Sequence, residues 1–307
     1  MTSPPASPRI RPRRVKLLYL DQRDISNLAN ARVPREHADA LLEAVNDGRV
    51  GIVVSAVHAV ETALCSDKAL RERIIDFVER LRTRRWLRRT MWIEQEEVKR
   101  CFVEDVSSCR AAPIQPFTSG PLEEVRDSVA PAIVVGEWDV EHEFGCAVNL
   151  WHKKGREKAI PTLWKWKTAW PGLSLYSRLT TRGRKVSDYV MEKEAWKLVP
   201  DRTSTGLLLS QKDRREYIGK LDLARCPALA LSLQVEDRIH DDVKAHAGTG
   251  DIPDIMHLCA VPYCDMTTLD KRMHSIVLQT AMGKVFRDRV ADSLPDALLM
   301  LGLNFQG

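Results

Sequence analysis

Val15-Lys-Leu-Leu-Tyr-Leu-Asp21 is a short apolar run closed by a carboxylate, and Gly51-Ile-Val-Val-Ser55 is a second apolar run, closed by a serine. Runs of this length, apolar on both alternating faces, read as strands buried on both sides. Helices are expected between and after them. Asp24 is placed to cap one over about 25–30, and a second runs over about 35–46 to Asp47-Gly48, where glycine supplies a left-handed stop. Ser55 is placed to cap a third, which carries Glu61. A longer helix over about 68–85 puts Leu70, Ile74, Phe77, Val78 and Leu81 on one face. Strand, helices, strand, helices is the order of an α/β fold with a parallel sheet.

The pattern resumes near residue 236. A helix from Asp251 or Ile252 to about 262, a short strand over about 265–269, a helix over about 271–282, a strand at Val285-Phe286 and a terminal helix over about 293–301 are expected. Between the two halves, residues 105–235 hold prolines at 113, 116, 121, 131, 161 and 171 and six of the eight tryptophans, and read as a large, mostly helical insertion. Residues 1–14 read as a disordered basic lead-in without the apolar centre of a signal peptide. The expected organisation is thus a nuclear α/β unit over 15–104 and 236–303 around the insertion.

The 307 residues are enough for a sizeable core, and 44% hydrophobic with 29% charged residues is ordinary globular composition. No apolar run is long enough to cross a membrane. Seven cysteines, an odd number without a Cys-x-x-Cys pair, point to reduced thiols and a cytoplasmic protein. A net charge of +5 hints at an anionic partner.

Four separated acidic stretches carry the chemistry: the strand ending at Asp21, Ser55…Glu61, Gly250-Asp251-Ile-Pro-Asp254-Ile-Met-His257, and Tyr263-Cys-Asp265-Met-Thr-Thr-Leu-Asp270. In an open α/β sheet, ligands bind outside the carboxyl ends of the strands, where Asp21, Asp270 and the helix acids Glu61 and Asp254 could line one cleft. Carboxylates that meet there repel one another unless a cation lies between them. Hard oxygen ligands suit Mg²⁺ or Mn²⁺ rather than zinc. Asp251 reads first as an N-cap with Asp254 as its capping-box partner, and His257, one turn after Asp254, as a core or supporting histidine. Cys259 and Cys264 lack zinc spacing.

The strand closed by Asp21, the Ser55…Glu61 helix start and, above all, Asp254-Ile-Met-His257-Leu-Cys-Ala-Val-Pro262-Tyr-Cys-Asp265 followed by Thr267-Thr-Leu-Asp270 resemble the PIN-domain nucleases. The resemblance covers roughly residues 15–104 and 236–303. It implies a PIN-like three-layer fold with a short central parallel sheet, and a Mg²⁺- or Mn²⁺-dependent endonuclease, most often acting on RNA. Carried over by position, it implies Asp21, Glu61, Asp254 and Asp270 as catalytic metal-site acids, with Asp265 a fifth acid or a supporting partner. One departure matters: where relatives often have a further acid, this chain has Lys271-Arg272. That weakens a second metal site and offers Lys271 as a phosphate contact.

Trp151 to Lys185 contains ten Lys/Arg and a single acid, Glu157. Lys153, Lys154, Arg156, Lys165, Lys167, Arg182, Arg184 and Lys185 are its candidate nucleic-acid contacts, interleaved with Trp151, Trp164, Trp166, Trp170 and Tyr176. Cations neutralise phosphates while aromatic faces stack on unpaired bases, which suits single-stranded nucleic acid. The competing expectation is that the tryptophans pack the insertion onto the core and the lysines form its solvated face. Arg80 to Arg89, with Trp86, is a second basic cluster.

The leading expectation is an endonuclease acting on single-stranded RNA. A catalytically silent RNA- or protein-binding module and a structure-specific DNA nuclease are its rivals. A regulatory protein partner and a homodimer are both compatible with the fold; a membrane partner is not expected.

Overall fold

A computed structural model describes residues 14–81, 84–107, 110–123, 142–154, 191, 195–203, 207–241 and 251–303. The chain is α/β. Its centre is a six-stranded sheet of order β4-β3-β2-β1-β5-β6. The strands are β1 (Lys16–Tyr19), β2 (Val50–Ser55), β3 (Arg85–Leu87), β4 (Phe117–Thr118), β5 (Met266–Thr268) and β6 (Val290–Ala291). All neighbours are parallel except β3 and β4.

The helices are α1 (Gln22–Ala29), α2 (Arg35–Asn46), α3 (Ala56–Leu64), α4 (Lys68–Arg80), α5 (Thr90–Ser107), α6 (Glu143–Lys154), α7 (Gln211–Lys220), α8 (Pro227–Asp241), α9 (Asp251–His257), α10 (Lys271–Gln279), α11 (Ala281–Val285) and α12 (Leu294–Met300). They cover both faces of the sheet. Alternation along the strands sends Leu18, Leu20, Ile52 and Val54 to one face, where they pack with Leu41, Ile74, Phe144, Val148 and Leu298. Tyr19 and Val53 point to the other, against Leu87, Ile93, Ala228, Cys259 and Ala260. Burial on both faces is why β2 is inaccessible along its whole length and apolar up to its final Ser55.

Several expected elements shift. Asp21, not Asp24, caps α1; its side chain accepts the amide of Arg23, while Asp24 is buried inside the helix. α4 ends at Arg80, because Leu81 is extended, and Arg85–Leu87 becomes a strand paired with Val53–Ser55. Trp86 is therefore core, not part of a basic surface. Val285-Phe286 is no strand: Thr280 caps α11, which reaches Val285, and the last strand is Val290–Ala291.

The insertion boundaries also move. Phe117–Thr118 of the expected insertion adds an antiparallel edge to the sheet. α6 docks on α3 and α4: His152 Nδ1 donates to the Ala63 carbonyl at 2.9 Å, and the Gly145 amide donates to Glu79 Oε1 at 2.9 Å. Trp151 packs against the same core. Residue 236 falls in the middle of α8. That helix is capped from outside: Glu97 of α5 accepts the amides of Ala228 and Leu229 at 2.9 and 3.1 Å, and the Tyr263 hydroxyl at 2.5 Å.

Candidate functional site

β1 lies between β2, reached through α1 and α2, and β5, reached only after the rest of the chain has folded past. A crevice opens at such a reversal of strand order, at the carboxyl ends. Asp21 follows the end of β1 and Asp270 the end of β5. The Asp21 amide donates to Thr268 Oγ1 at 2.8 Å, which ties the two strand ends together. Both acids also cap helices. Asp21 Oδ1 accepts the Arg23 amide at 3.2 Å at the start of α1, and Asp270 Oδ1 accepts the Met273 amide at 2.6 Å at the start of α10. Each carboxylate is thus held through one oxygen at the positive end of a helix.

Glu61 comes from α3, and its Oε2 accepts a hydrogen bond from His257 Nε2 at 2.8 Å. His257 ends α9 and is buried, one turn after Asp254. Thr90 Oγ1 donates to the Met256 carbonyl at 3.1 Å and pins that turn to the start of α5.

The acids sense one another. Burial, then the charge of Asp270, push the Asp254 carboxyl up to about 7; Asp21 and Glu61 add to the rise and His257 opposes it. Burial likewise raises Asp21, against the pull of His257. Burial would depress His257, but the Glu61 hydrogen bond and the charges of Glu61, Asp21 and Asp254 outweigh it and raise its pKa. This is an all-oxygen anionic set under mutual repulsion, and it fits a hard divalent cation. As the side chains stand, no three His, Cys, Asp or Glu among the described residues close into a metal-holding group. Two guanidinium groups border the acids: Arg23 feels Asp24, Asp21 and Asp270, and Arg272 feels Asp251, Asp270 and Asp254.

Asp265 does not join them. Its Oδ2 accepts the Leu17 amide at 2.8 Å and its Oδ1 faces Arg14 at 3.3 Å. In the parallel register Leu18 faces Met266, so Asp265 sits at the amino end of β5, the far end of the sheet from Asp21 and Asp270. The expectation of a fifth metal acid is corrected on that ground. Asp251 is buried at the start of α9 and paired with Arg272.

Lys271 is exposed directly after Asp270. Of the other expected nucleic-acid contacts, Lys153 and Lys154 close α6, and nothing is described of their side chains. Arg156, Lys165, Lys167, Arg182, Arg184 and Lys185 lie outside the described residues, as do Trp164, Trp166 and Trp170.

Behind Glu61 lie Tyr19 and His58, which the sequence does not mark as site residues, and Ser55, which it marks only as a helix cap. Tyr19 was one apolar residue of a strand. His58 stands three residues after the helix cap Ser55, where a capping box would have glutamate, and that spacing was the available signal. Comparison with protein-family models, with curated proteins and with solved structures finds no match.

Proposed function

We propose that the chain is a PIN-like, Mg²⁺- or Mn²⁺-dependent endonuclease that hydrolyses phosphodiester bonds, with single-stranded RNA ahead of DNA as its substrate class. The observation that carries this reading is the gathering of four acids, Asp21 and Asp270 after the adjacent strands β1 and β5 and Glu61 and Asp254 on α3 and α9, whose charges with burial push the Asp254 carboxyl up to about 7. Asp21, Glu61, Asp254 and Asp270 are the residues that would hold the ion. When bound, it supplies positive charge against a scissile phosphate and makes water more acidic. The chain's own part is placement: helix starts fix Asp21 and Asp270, and His257 fixes Glu61. Exposed Lys271 beside Asp270 offers a phosphate contact.

One observation favours a second reading. Arg23 and Arg272 already border the acids, as they would in a module that binds RNA or protein without cutting. Asp21→Asn separates the two, since asparagine keeps the helix cap and removes the charge. With Mn²⁺, the wild-type protein should cut single-stranded RNA in preference to single-stranded or flap DNA. The variant should lose at least 100-fold in rate with unchanged far-UV circular dichroism. Equal cutting by the variant sinks the nuclease proposal; no cutting by either, with no Mn²⁺-induced rise in melting temperature, supports the binding module.

A further inference from the structure

We propose that Tyr19 and His257 are positioning residues, forming with Ser55 and His58 a buried hydrogen-bond chain that fixes the Glu61 carboxylate for metal binding. The inference rests on the reading of the four acids as a metal site. All four supporting side chains are essentially inaccessible: Tyr19 and His58 are 0% exposed, His257 2% and Ser55 3%. Glu61, at the outer end, is 23% exposed.

Two backbone groups fix the tautomer of His58 at the inner end of the chain. His58 Nδ1 lies 3.0 Å from the Ser55 amide, and an amide can only donate, so Nδ1 carries no proton. His58 Nε2 lies 2.7 Å from the Leu20 carbonyl, which can only accept, so Nε2 carries the proton. At the outer end a carboxylate can only accept, so His257 Nε2, 2.8 Å from Glu61 Oε2, carries its ring's proton. In the neutral ring His257 Nδ1 takes the Tyr19 hydroxyl proton across 2.5 Å, and the Ser55 hydroxyl lies 2.9 Å from the Tyr19 oxygen and 3.2 Å from His58 Nδ1. With His257 neutral the bonds run in one direction from Tyr19 to His257 to Glu61, and the Ser55 hydroxyl joins Tyr19 to His58. The rings of Tyr19, His58 and His257 also pack together, with centroids 4.8 to 5.5 Å apart. The Leu20 carbonyl held by His58 is the last backbone group before Asp21. One network therefore braces both the strand-end acid and the helix acid. Carboxylates that bind metals are oriented by such outer partners, whose loss typically weakens metal affinity by about 10- to 100-fold.

Tyr19→Phe tests this by removing a single oxygen while keeping the ring. Three quantities are compared with the wild-type protein: the Mn²⁺ dissociation constant by calorimetry, the His257 tautomer in metal-free protein by ¹⁵N NMR, and the melting temperature. At a pH above the raised pKa of His257, the wild-type protein should show the neutral ring protonated on Nε2. The variant should shift the ring towards a tautomer mixture and weaken Mn²⁺ binding by about 10- to 100-fold. Ser55→Ala, one link further away, should weaken binding in the same direction but less. A lower melting temperature with an unchanged Mn²⁺ constant would show a merely structural chain and overturn the proposal. An unchanged His257 tautomer in Tyr19→Phe overturns it whatever the metal does. If the wild-type protein binds no Mn²⁺, the metal reading of the acids falls and takes the affinity claim with it, while the tautomer comparison still decides whether the chain orients His257.

Discussion

A carboxyl that holds its proton more tightly in the folded chain than in the unfolded one stabilises the fold at low pH, and that contribution is lost as the pH rises through the folded pKa. Asp254 is such a group, raised from an ordinary 3.8 to about 7. In metal-free protein its contribution should be complete below about pH 4 and lost as the pH climbs towards 7. Asp254→Asn cannot ionise, so at pH 8 in EDTA the variant should be more stable than the wild-type protein. The margin should be roughly 1–2 kcal/mol, discounted for the partial exposure of the carboxyl, and should vanish near pH 4. Paired thermal melts at the two pH values check it; a variant less stable at pH 8 would mean that Asp254 is held by attraction, not repulsion. At this scale the sequence was informative where an acid ended a strand. Asp21 and Asp270 could be placed because an apolar run states where it stops. Asp265 was misplaced because the same run begins with it, and an acid beside a strand looks alike at either end until the register with Leu17 is known. The hydroxyl of Tyr19 could not be read at all, since its partners Ser55 and His257 are 36 and 238 residues away.

Elements with strong local signals formed where expected. α2 runs from Arg35 to Asn46 and ends at Asp47 and Gly48, whose φ of 67° is the left-handed stop. Short strands did not announce themselves: β3 has three residues, too few for a period, and exists because β2 offers it an edge. Capping by distant residues is equally silent in sequence. Pro227 opens α8, and the helix receives its cap from Glu97, which lies 131 residues from Ala228. Glu97 is fully buried and its carboxylate serves the amides of Ala228 and Leu229 together with the Tyr263 hydroxyl. Glu97→Ala strands those three donors away from water. It should lower stability by about 2–4 kcal/mol, read as a fall in the urea midpoint at constant m-value. Glu97→Gln keeps one acceptor oxygen and should lose less. A neutral Glu97→Ala would mean that water replaces the carboxylate and that α5 does not anchor α8.

For the whole molecule, the sequence suggested an α/β unit over 15–104 and 236–303, with 105–235 set apart as an insertion. Packing argues otherwise. Phe144 and Val148 of α6 are 1% and 0% exposed within the same apolar cluster as Leu18 and Ile52 of the central strands. Removing those two side chains alone should cost on the order of 5 kcal/mol, a large part of the roughly 5–15 kcal/mol that holds a domain together. A deletion of 105–235 would also strip β4 from β3 and cut α8 before Glu236, leaving Ile93 and Cys259 without the Ala228 they pack against. The signal that would have revealed this is the amphipathic pattern of Glu143–Lys154, which was hidden by the stretch's prolines and tryptophans on either side. A chain in which a short flexible linker replaces 105–235 should therefore fail to give a cooperative thermal transition. If that deletion melts as sharply as the intact chain, α6 and the first half of α8 are attachments and the core is the smaller unit that the sequence suggested.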